Sequence, residues 1–308
     1  MKKLAPLMIL SAGILWGCMG LFVRHLNEAG LATMDLVFLR CLITAAGMGI
    51  WLLICDRRLF RIRIRDIWVF FGTGILSIIF FNFCYFRAIT IMSLSVAAVL
   101  LYTAPAIVMV LSFFLFHEKF TGRKIIALIL TFAGCMFVTG VFSGGQKTSP
   151  AGILIGLGAG LGYALYSIFS RYALEKGYHI LTIIFYTFLI SAVGGLFLSH
   201  PAFVVTTAFS SWTVILWSLG FGFAATVFPY LLYTTGLSHV ENGQASIIAS
   251  VEPVMATALS ILVYHEGMTA GVLLGMVMVL GGIVICALPE RRSGNEERRE
   301  NMRVSDRN

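Results

Sequence analysis

Apolar residues run along this chain in long blocks separated by short polar breaks. Ten blocks are long enough for a hydrocarbon core, which takes about 20 residues at about 1.5 Å rise each. They cover 4–23, 34–55, 67–86, 94–116, 125–142, 151–170, 180–199, 212–235, 243–264 and 267–288. The blocks from Leu94 to Phe116 and from Gly267 to Leu288 contain no charge at all. The pattern predicts an all-α membrane protein of ten transmembrane helices with little folded outside the bilayer.

The pattern also repeats. At an offset of 148, Phe80 falls on Phe228, Tyr85 on Tyr233, Pro105 on Pro253, Ser112 on Ser260, His117-Glu118 on His265-Glu266, Thr121 on Thr269 and Gly134 on Gly282. Upstream the offset is 147, aligning Trp16 with Tyr163, Phe22 with Phe169 and Arg24 with Arg171. Each copy holds five blocks, over 5–142 and 151–288. A repeat with an odd number of spans lies upside down relative to its twin, and inverted repeats mark transporters.

Composition agrees. The chain is 59% hydrophobic and 12% charged, with mean hydropathy +0.93, against about 25% charge in soluble domains. With the N-terminus inside, one face gathers Lys2, Lys3, Arg57, Arg58, Arg61, Arg63, Arg65, Lys119, Arg123, Lys124, Arg171, Lys176 and six tail arginines. The other keeps only Arg24, Arg40, Arg87 and Lys147. That asymmetry predicts two cytoplasmic termini. The net charge of +8 is then a topology signal and calls for no nucleic-acid partner. Lys2-Lys3 before an apolar run resembles a signal peptide, but the run is long and lacks a small-residue cleavage site, so it reads as a retained span. The charged segment 289–308 reads as a disordered tail.

Several chemistries lack their residues. Gly140-x4-Gly145-Gln146-Lys147-Thr148 departs from a phosphate-binding loop because Gln146 separates Gly from Lys. The His-Glu pairs are not H-E-x-x-H, there is no G-x-S-x-G, and the six cysteines are scattered without a C-x-x-C. The sequence thus predicts no enzyme, no cofactor and no metal site, with transport driven by a gradient.

Glu252 is the leading candidate for that transport. It lies about ten residues into the ninth block, near the bilayer midplane, where an ionisable group is costly and functional by default; it is the group that would exchange a proton, and the competing expectation is a protonated side chain that hydrogen-bonds a neighbouring helix. It also breaks the repeat, since its mate is Ala104. Pro253 after it and Pro105 in the first copy each remove a helical donor, opening the backbone at midplane in both halves. Trp16, Asn82, Tyr85, Tyr102, Tyr163, Tyr166, Tyr230 and Tyr233 offer stacking faces and hydrogen-bonding groups for a substrate cavity. Ordinary helix packing is the alternative for each. Arg24, Arg40 and Arg87 fall near the outer ends of the first three spans and together suit a substrate carboxylate; for Arg40 the competing expectation is snorkelling, or a pair with Asp35 or Glu28. Glu118 and Glu266 sit at helix ends as partners for cations or backbone groups. Glycines four apart, as at Gly13/Gly17, Gly152/Gly156, Gly158/Gly162 and Gly271/Gly275, suit packing within the chain and a homodimer equally.

The ten spans in two five-span halves, Leu39-Arg40, Thr103-Ala104-Pro105 with His117-Glu118, and Ser250-Val251-Glu252-Pro253 with His265-Glu266 resemble the EamA-type transporters of the drug/metabolite transporter superfamily. The resemblance spans residues 5–288. It implies a bacterial inner-membrane carrier with a central cavity between the repeats, handling amino acids, sugars, drugs or other small metabolites, often outward. The alternative reading is a non-transporting helical bundle that senses lipid or scaffolds partners. Sealed polar contacts without a cavity would favour it.

Overall fold

A computed structural model describes residues 2–142, 148–265 and 267–288. Glu266, Lys147, the Gly145-Gln146 stretch and the tail therefore lie outside the described residues. Among those described, the chain is helical throughout, without strands.

Ten helices fall on the ten apolar blocks: α1 Ala5–Glu28, α2 Thr33–Cys55, α3 Ile64–Ile91, α4 Leu94–Phe116, α5 Gly122–Val138, α6 Pro150–Glu175, α7 Ile180–Gly195, α8 Trp212–Leu237, α9 Asn242–Tyr264 and α10 Ala270–Ala287. A short helix, Pro201–Ala208, links α7 to α8. Eight of the ten are long and apolar enough to cross a membrane. The other two, α5 with 17 residues and α7 with 16, fall short of the length expected from their blocks. At about 1.5 Å per residue, 16 residues span only about 24 Å of a roughly 30 Å core. Large apolar side chains cover the outside: Ile54 is 79% exposed, Leu154 73%, Phe197 84% and Leu262 72%. Such a surface requires an apolar solvent.

The two halves run antiparallel to each other. Equivalent helices α5 and α10 pack with Gly134 against the Gly275 carbonyl and Gly282 against the Ala127 carbonyl. Residue numbers rise along one helix as they fall along the other. A Cβ on Gly134 would sit 2.7 Å from that carbonyl oxygen, and one on Gly275 would sit 2.6 Å from Gly134's, so the backbones touch because neither residue has a side chain. The Gly275 face is occupied within the chain.

Irregular backbone recurs at matching places. α4 breaks after Leu101 and restarts at Ala104; α9 breaks after Ala249 and restarts at Glu252, exactly 148 residues on. The prolines at 105 and 253 begin the second segments, where a missing N–H costs least. α3 widens into π-helical turns ending at Ile79, and α8 does so ending at Val227. The Ser191 hydroxyl, shared with the Thr187 carbonyl at 2.7 Å, reaches the Gly74 carbonyl at 3.1 Å, and the Thr44 hydroxyl donates to the Gly222 carbonyl at 3.2 Å. Hydroxyls from α7 and α2 thus satisfy equivalent carbonyls of the loosened turns, as low-dielectric surroundings demand. His117 and His265 end α4 and α9 with φ of 56° and 54°. The symmetry fails in one place: α1 breaks at Cys18, while its mate α6 is continuous over 26 residues.

Candidate functional site

Close glycine contacts hold the breaks of α9 and α4 against α1 and α6. Gly13 lies on the Ala249 carbonyl and Gly17 on the Glu252 carbonyl, so α1 runs parallel to α9 across its break. Gly160, the repeat mate of Gly13, lies equally close to the Leu100 carbonyl and the Thr103 hydroxyl, so α6 runs parallel to α4 across its break. Between these two pairs, with α3, α8 and one residue of α2, lies a cavity of about 340 Å³.

The cavity walls bring together all nine residues proposed from the sequence as substrate contacts: Trp16, Asn82, Tyr85, Tyr102, Tyr163, Tyr166, Tyr230, Tyr233 and Glu252. Six of them come from two aligned trios, Trp16 with Tyr163, Asn82 with Tyr230 and Tyr85 with Tyr233, one per repeat. The Trp16 ring centre lies 5.2 Å from that of Tyr230, 5.3 Å from Tyr233 and 6.4 Å from Tyr163. Tyr166 meets Tyr230 edge-on at 4.8 Å. The Tyr163 hydroxyl donates to Glu252 Oε2 at 3.0 Å, and Asn82 Nδ2 donates to the Ile78 carbonyl at 2.7 Å. Among the described residues, the hydroxyls of Tyr85, Tyr102 and Tyr230 find no protein partner, which leaves them for an occupant. Pro105 and Pro253 are buried beside the breaks and do not line the cavity.

The three arginines do not converge. Arg24 is exposed and stacks over the Tyr264 ring at 4.0 Å, and Arg87 is exposed at the end of α3. Arg40 alone lines the cavity. It is 3% exposed, so it does not snorkel. It also has no acid partner: Asp35 accepts from the Ala32 and His200 amides, and Glu28 is exposed. Residue spacing gave Arg40 the right depth but not its face. That face is set by Met19, whose sulfur accepts from Nη1 at 3.4 Å, and by the Phe221 ring at 6.0 Å.

One end of the cavity is closed. Toward the end where α1 begins, Trp16, Tyr166, Ser167 and Tyr233 are buried, with Ser167 and Tyr233 hydroxyls 2.6 Å apart and Tyr166 and Thr234 hydroxyls 2.8 Å apart. Beyond them, Glu118 at the end of α4 accepts from the Asn242 and Gly243 amides at 2.6 and 3.1 Å, capping α9. Asn242 in turn donates to Ser112 at 3.1 Å and accepts from Arg171 Nε at 2.9 Å, while Arg171 also holds the Val240 carbonyl and Lys124 pairs with Glu241. At the opposite end, Gly20 and Ala256 line the cavity and are exposed. The cavity opens there. Arg171 and Arg24 are repeat mates, one latched at the closed end and the other stacked on a ring at the open end.

The sequence did not single out Ser77, Phe81, Phe86, Ser167 or Met19 as wall residues, because nothing in their type separates them from packing positions. Asn242, the hub of the closed end, carried a weak signal: it is an amide where its mate, Leu94, is apolar.

Comparison with known proteins gives a consistent answer. The model of the EamA-like transporter family matches twice, over residues 3–140 and 150–288. An uncharacterized transporter of Archaeoglobus fulgidus is 29% identical over 281 residues, covering 90% of this chain and 94% of that protein. The uncharacterized transporters YetK and YxxF of Bacillus subtilis are 27% and 26% identical, covering 82% and 95% of this chain and 78% and 92% of theirs. One solved crystal structure superposes with a TM-score of 0.76 at 17% identity, over 95% of this chain and 100% of the other. At that identity the match speaks for the fold alone.

Proposed function

The chain belongs to the EamA-like transporter family, and on that premise we propose that it carries a small metabolite, amino acid or drug-like molecule outward across a bacterial inner membrane by alternating access. The observation that carries this reading is a cavity walled by both repeats, sealed by polar contacts at one end and open at the other. The basic residues gather at the sealed end, which the positive-inside rule makes cytoplasmic, with both termini there and ten crossings in all. The cavity then faces outward. Exchanging the conformations of the two inverted repeats would seal the far end and open the cytoplasmic one.

Glu252 is the group through which a proton gradient would act, because it lines the cavity and accepts a hydrogen bond from Tyr163. In proteoliposomes, Glu252→Gln is expected to abolish flux driven by a pH gradient while leaving counterflow intact. Driven flux that survives the substitution would remove the proton role. The alternative of a non-transporting bundle fits less well, since a bundle that only senses lipid or scaffolds partners has no need of a central cavity with unsatisfied hydroxyls.

A further inference from the structure

Arg40 is harder to account for than any other wall residue. Its Nε is buried without a hydrogen-bond partner, and the Met19 sulfur is a weak acceptor for Nη1. A buried guanidinium lacking an acid is expensive. The fold does not call for it, because its repeat mate at offset 147, Thr187, is fully buried and bonds to the Thr73 hydroxyl at 2.6 Å. Glu252 departs from the repeat in the same way, against Ala104. Among the described residues it has a hydroxyl partner but no cation at salt-bridge distance. One cavity thus carries a guanidinium and a carboxyl, each foreign to the repeat; among the described residues they feel each other's field, yet neither has a partner at salt-bridge distance.

We propose that the cavity takes a zwitterion, with its carboxylate on Arg40, its ammonium on Glu252 and its apolar body against the aromatic walls. The guanidinium fork suits a carboxylate through two parallel hydrogen bonds. The ammonium gains from Glu252, and the aromatic rings that line the same cavity offer it cation–π faces. A zwitterion compensates both charges at once. An analogue with only one charge leaves the other side chain buried and unpaired, and sites of that kind reject such analogues strongly. Arg40 is then the residue that demands an acid group. This inference rests on the transport reading.

The test uses purified full-length protein in proteoliposomes and three probes with one apolar body: L-leucine, L-leucinamide and 4-methylpentanoate. Wild-type protein should exchange leucine at least about 100-fold faster than either singly charged analogue. Arg40→Gln should bring leucine and leucinamide to within a few-fold of each other, and Glu252→Gln should do the same for leucine and 4-methylpentanoate. A melting temperature near wild type shows each variant to be folded, and Arg40→Lys should recover part of the preference for the acid. Leucine exchanged no faster than its analogues in wild type, or a preference that persists in Arg40→Gln, would overturn the proposal and leave transport standing. No exchange of any probe would overturn the proposal as well, whereas the transport reading falls only if the two ends of the cavity never open in turn.

Discussion

The closed end of the cavity depends on one carboxylate. Glu118 accepts from two backbone amides at the start of α9, at 2.6 and 3.1 Å. It comes from the end of α4, so opening this end separates the partners. In Glu118→Gln one bond is lost and the other loses its charge. Hydrogen bonds to charged groups contribute about 1.5–3 kcal/mol and neutral ones about 1, so the closed form loses about 2 kcal/mol. At about 1.4 kcal/mol per factor of ten, that moves the balance roughly 30-fold toward opening. The reporter is a cysteine at Ser246, one turn into α9 and 4% exposed, in a chain whose six native cysteines are replaced. A membrane-impermeant maleimide applied from the N-terminal side should label it some 30-fold faster in the Glu118→Gln background. An unchanged rate in a folded variant would refute the claim that Glu118 holds this end shut.

Other predictions follow from the same geometry. Gly160→Ala and Gly13→Ala place a Cβ 2.9 and 2.8 Å from the carbonyls of Leu100 and Ala249; each should lower stability in a detergent melt by about 1–3 kcal/mol, whereas Gly122→Ala, with nothing within 4 Å, should not. Tyr233→Phe removes the 2.6 Å contact to Ser167 and should cost about 1 kcal/mol, read as faster labelling at Ser246. Thr44→Val strips its hydroxyl from the Gly222 carbonyl, whereas the Ser191 hydroxyl also has the Thr187 carbonyl at 2.7 Å, so Thr44→Val should lower stability in a detergent melt by about 1 kcal/mol and Ser191→Ala by no more.

Much of this architecture was legible because it is written twice. The 148-residue offset marked Pro105 and Pro253 as equivalent, and the helices break beside both. It aligned Tyr85 with Tyr233, and both line the cavity. Periodicity gave depth, and depth alone placed Glu252 near the middle. Facing was less legible. Arg40 sits where an arginine at a span end would ordinarily reach for water, yet Met19 and Phe221 enclose it, and only the packing of α1 and α8 on α2 decides that. The break at Cys18 has neither a proline nor a repeat mate, so no residue announced it. The closed end ties α9 to α4 and α6 across separations of 124 and 71 residues, partly through backbone amides that carry no sequence signature.

The most direct test of alternating access measures both ends of the molecule at once. Spin labels at Asn27 and Thr90 report the far end, and labels at Glu175 and Ser238 report the N-terminal end; all four positions are exposed. In lipid nanodiscs, each pair should show two distance populations, and conditions that shorten the far-end distance should lengthen the other. A single fixed distance at both ends, unmoved by a pH change, by leucine or by Glu118→Gln, would contradict the account.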